Sequence, residues 1–596
     1  MTRRFKLLLF ISFIILVAMN CYIGYGYTPS SDQASGVIIS HDIANGNILL
    51  SGWFLSTVTF YFTDLIWYAL LDIIGISNKV QSYLVPSILI SALTICCIIL
   101  SYHKKKLPWA IFFSFGILGA YSSNIFNLAV SHIGAYLYTA IIYIIIERTS
   151  VYKANIHHYL IVFLLSLAIF FSDDISKYAF LIPLISSLAI ELFYKRNKVH
   201  LHYAASIFLA FILSKTLLYY AQEIGGFQLP GIGYPKFATQ EEFINNLYFL
   251  CVGLLRLFEA YFFGMDIGLQ SFSSIIRLCF LLFFVYIIAS NARKITRFST
   301  IDRALLLTAI IMPCAFLFSN IPSAVESIRY IAPSVIFGAV FICRNVNISQ
   351  KTSLFLLSLS FVSGAIIYGN AISLDKRNHE IHDISKYIKE HNLKAGFASF
   401  WFASSVSLNS GSEISPVVFN SHEGSVKPFL WLSKINNYEQ NNSFIIADTK
   451  EDMDAAIIQY GRPDVIDKVM SKFILVWNDG INIPFTGFHM LTNSKYFGSL
   501  GYSDEFQVCK KDGATFLVTG PYKPLKKGMY KMHIEKSGRG DVLGDIVAFG
   551  GKKLIAKINN VVDMDFYIDK TYPDVEVRIY NSDTSSCISS ISIEMK

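Results

Sequence analysis

The sequence is short of charge. Of its 596 residues 15% are Asp, Glu, Lys or Arg, 53% are hydrophobic, and the mean hydropathy is +0.47. A soluble chain would carry roughly 25% charged residues, so this shortage puts most of the chain in lipid. The length excludes one compact domain and implies a membrane part with something attached. No CxxC pair and no Cys/His cluster occurs, which removes a zinc site. Seven of the nine cysteines (Cys21, Cys96, Cys97, Cys251, Cys279, Cys314 and Cys343) lie in apolar stretches. Only Cys509 and Cys587 fall in the polar C-terminal third, where an oxidising compartment permits a bridge. There is no internal repeat and no low-complexity tract. No A-x-A site follows the first apolar run, so that run reads as a span rather than a cleaved signal.

Long apolar runs are what the chain has in abundance. A helix crosses the hydrocarbon core with about 20 apolar residues. Runs near 5–26, 82–102, 107–121, 134–147, 157–171, 178–194, 201–220, 272–291, 303–319, 330–345 and 352–372 satisfy or approach this, giving about 11 spans. Basic residues mark alternate loops: Arg3, Arg4 and Lys6; Lys104, Lys105 and Lys106; Arg148 and Lys153; Lys195, Arg196 and Lys198; Arg293, Lys294, Arg297 and Arg303; Arg344 and Lys351. The positive-inside rule then places the N-terminus in the cytoplasm and everything after residue 372 outside. The stretch 244–267 is long enough to span, but Arg256 and Glu259 interrupt it. It reads as an interfacial or re-entrant helix on the outer side. A second amphipathic piece, "FYFTDLIWYALLDIIG" (60–75), lies in the long first outer loop.

After residue 372 the pattern changes. "HEIHDISKYIKEHNLKAG" has helical spacing, and "SPVVFN", "SFIIADT" and "KFILVW" are short apolar runs. With "DAAIIQYG" as a further helix, they suggest an α/β unit. From 501 on, alternating strands and turns suggest a β-sandwich. The expected fold class is an all-α polytopic membrane domain (1–372), followed by an outer soluble α/β domain (373–500) and an outer β-sandwich domain (501–596). Trp401 and Trp431 could serve carbohydrate recognition, though core packing is the commoner use of such aromatics.

Parity brings a set of ionisable groups to one membrane face. Asp32, Asp42 and Asp64 lie in the first outer loop, His132 in the second, and Asp173 and Asp174 in the third. Lys215 sits in the outer half of the seventh span, and Glu326, Arg329 and Tyr330 at the outer end of the tenth. Singly, most of these have bland readings: a solvated loop acid for Asp42, a helix cap for Asp174, a packed imidazole for His132, a snorkelling amine for Lys215. Asp64, in an amphipathic helix, suits a polar-face role. Together they place acids suited to base or metal work beside cations suited to an anion.

An aspartate a few residues after the first span, in a long loop with interfacial helices, resembles the membrane-embedded glycosyltransferases of the C superfamily. These include the dolichyl-phosphate-mannose–protein mannosyltransferases and the bacterial lipid A aminoarabinose transferases. "SSDQAS", "GNILLSGWFLS" and "FYFTDL" in the first loop, "SHIGAYL" in the second, "SDDISKYAFLIPL" in the third and "SIRYIAP" later are similar to a bacterial branch of that group. The resemblance covers roughly residues 1–372. It implies a glycosyltransferase of the bacterial inner membrane, a hexosyltransferase moving a sugar from a polyprenyl-phosphate carrier to an acceptor on the outer side. The acceptor would be a surface glycan, a lipid-linked glycan or a protein.

Asp32 is then the expected base. Asp173, Asp174, His132, Arg329, Tyr330, Lys215 and Asp42 are the expected substrate-binding residues. The outer loops lack a D-x-D motif, so a divalent metal (Mg or Mn, with Asp32 and Asp173 as ligands) is an option rather than an expectation. Membrane lipids are expected partners and nucleic acid is not. The alternative is a transporter or flippase of lipid-linked sugars, which would call for inverted repeats and charge-lined helices at mid-membrane.

Overall fold

The computed structural model describes residues 3–26, 28–102, 132–151, 154–195, 198–230, 235–346, 349, 351–352, 355–356, 358–359, 362–363, 366, 376–421, 424–492, 498–499, 502–503, 507–509, 515–538, 540–580 and 587–596. They form two compact units, Met1–His382 and Asp383–Lys596.

The first unit is helical. Its elements begin with α1 (Arg3–Tyr25), α2 (Ser31–Ala44), a π-helical turn (Tyr61–Leu65) that runs into α3 (Ile66–Ile73), and α4 (Asn78–Tyr102). Then come α5 (Ile133–Val151), α6 (Ile156–Ser172), a second π-helical turn (Lys177–Leu181) leading into α7 (Ile182–Lys195), and α8 (Lys198–Glu223). The unit continues with α9 (Gln240–Leu257), α10 (Leu269–Ala292), α11 (Thr300–Phe318), a 3-10 segment (Val325–Ile331) and α12 (Ala332–Asn345). Among the described residues, six helices are long and apolar enough to cross a membrane: α1, α4, α8, α10, α11 and the stretch Val325–Asn345. This is the layout of a multi-pass membrane protein. The run 107–121 lies outside the described residues and 352–372 mostly so; the other apolar runs are helical.

Two features depart from the sequence reading. The opening of the first outer loop is itself a helix, α2. Ser30 caps it, and Gln33 returns a bond from its side chain to the Ser30 N–H. This Ser-x-x-Gln box satisfies two orphan amides and so defines where the helix starts. The stretch 244–267 is not continuous: α9 starts at a Thr239/Glu242 box and stops at Leu257. α9 lies against the 3-10 segment at Gly253, where a Cβ would come within 2.7 Å of Ile328.

Arg303 and Arg344 also differ from expectation. Both were counted as loop cations on the cytoplasmic side, yet both are buried. Arg344 donates from Nε to Asp302 (2.5 Å), from Nη1 to the Leu100 carbonyl (2.6 Å) and Glu147 (3.0 Å), and from Nη2 to Glu147. Arg303 binds the Ser187 (3.0 Å) and Phe298 (2.8 Å) carbonyls and lies 3.5 Å from Glu191. The guanidinium fork suits such multidentate pairing, and a charge matched inside the bundle is not a charge in a loop.

The second unit opens on α13, the helix Lys376–Glu390, which begins before the division between the units. Its mixed sheet has strands β1 (Ala395–Ser399), β2 (Glu413–Asn420), β3 (Ser425–Pro428), β4 (Asn442–Ala447), β5 (Val465–Val469) and β6 (Lys472–Ile481), in the order β3-β2-β1-β4-β6-β5. β1 runs parallel to both β2 and β4. Trp401, expected in the core, is 60% exposed on the helix Phe400–Ser410, because Phe400 takes the inward place against Phe429.

The strands from Gly487 onward form two antiparallel sheets around one apolar core that includes Val518, Tyr530, Ile546, Val577 and Ile591. The first of them, Gly487–Leu491, already pairs with the C-terminal strand Cys587–Met595. Lys526 of the sandwich also reaches Glu439 beside the mixed sheet (3.0 Å).

Cys509 and Cys587 face each other across antiparallel strands and are bridged. Non-reducing alkylation is expected to leave these two thiols masked. Reduction should destabilise the second unit by about 2–5 kcal/mol, the usual effect of opening a long covalent loop. Free thiols at both positions in unreduced protein would contradict the bridge.

Candidate functional site

Local geometry brings most of the singled-out residues of the first unit together. α2 carries Asp32 in its first turn. The 3-10 segment carries Arg329, whose Nη1 lies 3.9 Å from Asp32 Oδ2. Both remain accessible, with side chains 22% (Asp32) and 40% (Arg329) exposed. The Arg329 guanidinium sits over the Tyr330 ring at 5.3 Å. Tyr330 in turn meets the His132 imidazole edge-on at 6.2 Å. His132 Nδ1 and Asp173 Oδ2 are 2.8 Å apart, and both residues are buried. Asp32, Arg329, Tyr330, His132 and Asp173 thus form one continuous set of contacts.

The backbone explains why these groups meet. His132 adopts a left-handed conformation (φ 67°) immediately before α5, an uncommon state for a residue with a side chain. Two residues on, Gly134 passes so close to the first π-helical turn that a Cβ would lie 1.9 Å from the Thr63 carbonyl oxygen. Only glycine permits that approach. Asp173 ends α6 and accepts the Ile175 N–H at 3.1 Å, which fixes its carboxylate. The start of the π-helical turn is tied to the same end of α6: Phe60 N–H donates to the Ser172 carbonyl and Phe62 N–H to the Ser172 hydroxyl, both at 2.9 Å.

A further residue of the first outer loop belongs to this cluster. Asp64, expected on the polar face of an amphipathic helix, is 1% exposed. Burial, with the Asp173 carboxylate adding to it, pushes its pKa up to about 7; the Thr63 hydroxyl, His132 and the Gly134 N–H act the other way. A usable signal was present. The residues around Asp64 are Tyr61, Phe62, Leu65, Ile66, Trp67 and Tyr68, with Thr63 the lone polar neighbour, which is poor company for a solvated acid.

The other candidates lie apart from this set. Asp42 accepts hydrogen bonds from Trp53 Nε1 (2.8 Å) and Asn47 Nδ2 (2.9 Å), so it fastens the loop after α2. Asp174 pairs with Lys215 (2.5 Å) and Lys177 (3.0 Å). Partial burial opposes its ionisation, but the two ammonium groups outweigh this and hold its pKa below the usual carboxylate value. For Asp32 the balance is reversed: burial raises its pKa although Arg329 lowers it. A carboxylate with a raised pKa is a better proton acceptor, provided it is ionised.

Among the described residues no group of three or more His, Cys, Asp or Glu side chains is arranged to hold one. Asp32 is engaged with Arg329 and Asp173 with His132. What the arrangement can do is accept a proton at Asp32 beside a partly open guanidinium suited to an oxyanion.

No family model matches the chain, and no curated protein matches it. Among solved structures it is similar to the arabinofuranosyltransferase AftD from mycobacteria, with 10% identity and a TM-score of 0.36 over 100% of this chain and 59% of that one. The chain therefore spans well under two thirds of that protein, and a likeness at this level carries no argument for family or activity.

Proposed function

We propose that the chain is a membrane glycosyltransferase of the C-superfamily type, moving a hexose from a polyprenyl phosphate to a hydroxyl on the outer side of a bacterial inner membrane. The observation that carries this reading is the Asp32–Arg329 contact beside Tyr330 and the buried His132–Asp173 pair. The acceptor hydroxyl attacks the anomeric carbon of the sugar. Asp32 takes the hydroxyl proton, the bond from the sugar to the phosphate oxygen breaks, and polyprenyl phosphate leaves with its new charge on Arg329. His132 and Asp173 shape the wall of the site.

The pairing also suggests how the base becomes active. Incoming phosphate competes with Asp32 for Arg329. As Arg329 turns to the phosphate, Asp32 loses the charge that lowers its pKa and becomes more basic. The disulfide supports an outer location for the second unit, since such bridges persist in oxidising compartments. The carrier, the acceptor and the orientation all belong to this proposal.

The test uses purified full-length protein in nanodiscs with a radiolabelled polyprenyl-phosphate sugar and a glycan acceptor. Label should move to the acceptor with one polyprenyl phosphate released per sugar. Passage of label across proteoliposomes with no covalent transfer would favour a flippase instead. Arg329→Ala should raise the donor KM about 10- to 100-fold, the range for a lost charge-assisted hydrogen bond. Arg329→Lys should recover only part, because an ammonium lacks the planar fork.

A further inference from the structure

We propose that Asp64 is a positioning residue for the buried His132–Asp173 pair, and that it acts as the neutral acid. This rests on the proposed site, but its central test does not require glycosyl transfer.

The geometry gives Asp64 no lysine or arginine partner. Neither of its oxygens makes a hydrogen bond of good geometry among the described residues, nor do the Thr63 hydroxyl and the Tyr68 and Tyr136 hydroxyls around it. All four residues are 1% exposed or less. The groups facing it can be named element by element. α3 offers Tyr68, and α5 offers His132, Tyr136 and Tyr138, whose hydroxyl is spent on the Phe62 carbonyl. The end of α6 offers Asp173. α2 meets this region through Ser40, whose hydroxyl donates to the Leu65 carbonyl. No lysine or arginine is among the groups acting on Asp64.

A buried carboxylate without a cation or a full set of donors is costly, and such a group takes up a proton instead. His132 is already bonded to Asp173 at 2.8 Å. An ionised Asp64 would add a negative charge to a site proposed to receive phosphate. As the acid, Asp64 also has an O–H to offer to a neighbouring tyrosine oxygen, while Thr63, Tyr68 and Tyr136 have O–H groups to return. The π-helical turn that presents Asp64 is a form found frequently at functional sites.

The sign of the pH effect follows from the raised pKa. The stability contributed by protonated Asp64 is present below its ordinary pKa of 3.8 and is lost as pH rises through about 7. The full-length protein in nanodiscs is melted between pH 4 and pH 9 alongside Asp64→Asn. The difference in Tm, variant minus native, should grow between about pH 4 and about pH 7 and then level off. A difference that is flat across this range overturns the proposal, whether or not transfer is seen.

A second arm reads turnover. Asp64→Asn should remove an inflection near pH 7 from the kcat profile. Asp64→Leu, which cannot hydrogen-bond, should lose about tenfold or more in kcat at every pH with donor KM held. Rescue by Asn but not by Leu separates positioning from mere space-filling. Loss with Asn at every pH, in a variant that melts normally, would mean that the carboxylate itself is needed and would also overturn the proposal.

Discussion

Asp32→Asn is expected to lower turnover by about 10²–10⁴, the usual cost of removing a positioned general base. Asparagine keeps the size of the side chain and can still accept a bond from Arg329, so α2 and its Ser30 cap should be undisturbed. It cannot take a proton at neutral pH. The two kinetic parameters should move apart. In the native protein Arg329 lies 3.9 Å from the Asp32 carboxylate, and in the proposed mechanism it turns from Asp32 toward the donor phosphate. Without the competing negative charge, donor binding should be unchanged or tighter while kcat collapses. That split distinguishes a base from a residue that merely holds the donor, whose loss would raise KM.

Asp42→Asn offers the contrast. It keeps an acceptor for Trp53 and Asn47 and should retain most of the activity. Conversion of radiolabelled polyprenyl-phosphate sugar by purified variants is the measurement. Near-normal turnover by Asp32→Asn would remove Asp32 as the base, and loss with Asp42→Asn alone would move that role along the loop.

Much of the site was legible because loop parity is a strong constraint. Groups at the same ends of antiparallel helices share a face, so Asp32, His132, Asp173, Arg329 and Tyr330 could be gathered before any coordinates. Parity gives the face but not the neighbour. Asp174 follows Asp173 in sequence, yet it turns to Lys215 and Lys177 while Asp173 turns inward to His132. Asp42 lies ten residues beyond Asp32, yet it bonds to Trp53 and Asn47 within its own loop.

The burial of Asp64 was not legible because helical periodicity assigns a polar side but cannot say what lies against it. The near-contact of Gly134 with Thr63 decides that, and it joins segments far apart in sequence. α2 was missed for a different reason. Its capping box is present in "SSDQ", but no apolar run long enough to span follows directly to mark a helix. The sheets of the second unit were the easiest to read, since each short apolar run there became a strand.

The buried cations were the least legible, and one of them carries the second large expectation. Arg344→Met should destabilise the first unit by about 3–5 kcal/mol, the range for breaking a buried ion pair from one side. Methionine roughly fills the stem but leaves Asp302 and Glu147 with no guanidinium. Asp302 is almost wholly buried, so water cannot replace what is lost. Charge loss rather than shape is the issue, so adding Asp302→Asn and Glu147→Gln should return a large part of the stability. Replacing a whole buried network is often near neutral.

The location gives the network its consequence. α5 starts beside His132 and holds Glu147 near its far end; α12 starts just after Tyr330 and holds Arg344 in its last turn. At 1.5 Å per residue the network lies roughly 20 Å along these helices from the candidate site. It clamps together α4, α5, α11 and α12 at the end remote from the chemistry. Thermal unfolding in detergent should show a lower Tm for Arg344→Met, recovered in the triple variant. Enzyme that survives should keep its donor KM, because the clamp touches no substrate group. A single variant melting with the native protein would show that the cluster contributes nothing net to holding the helices together.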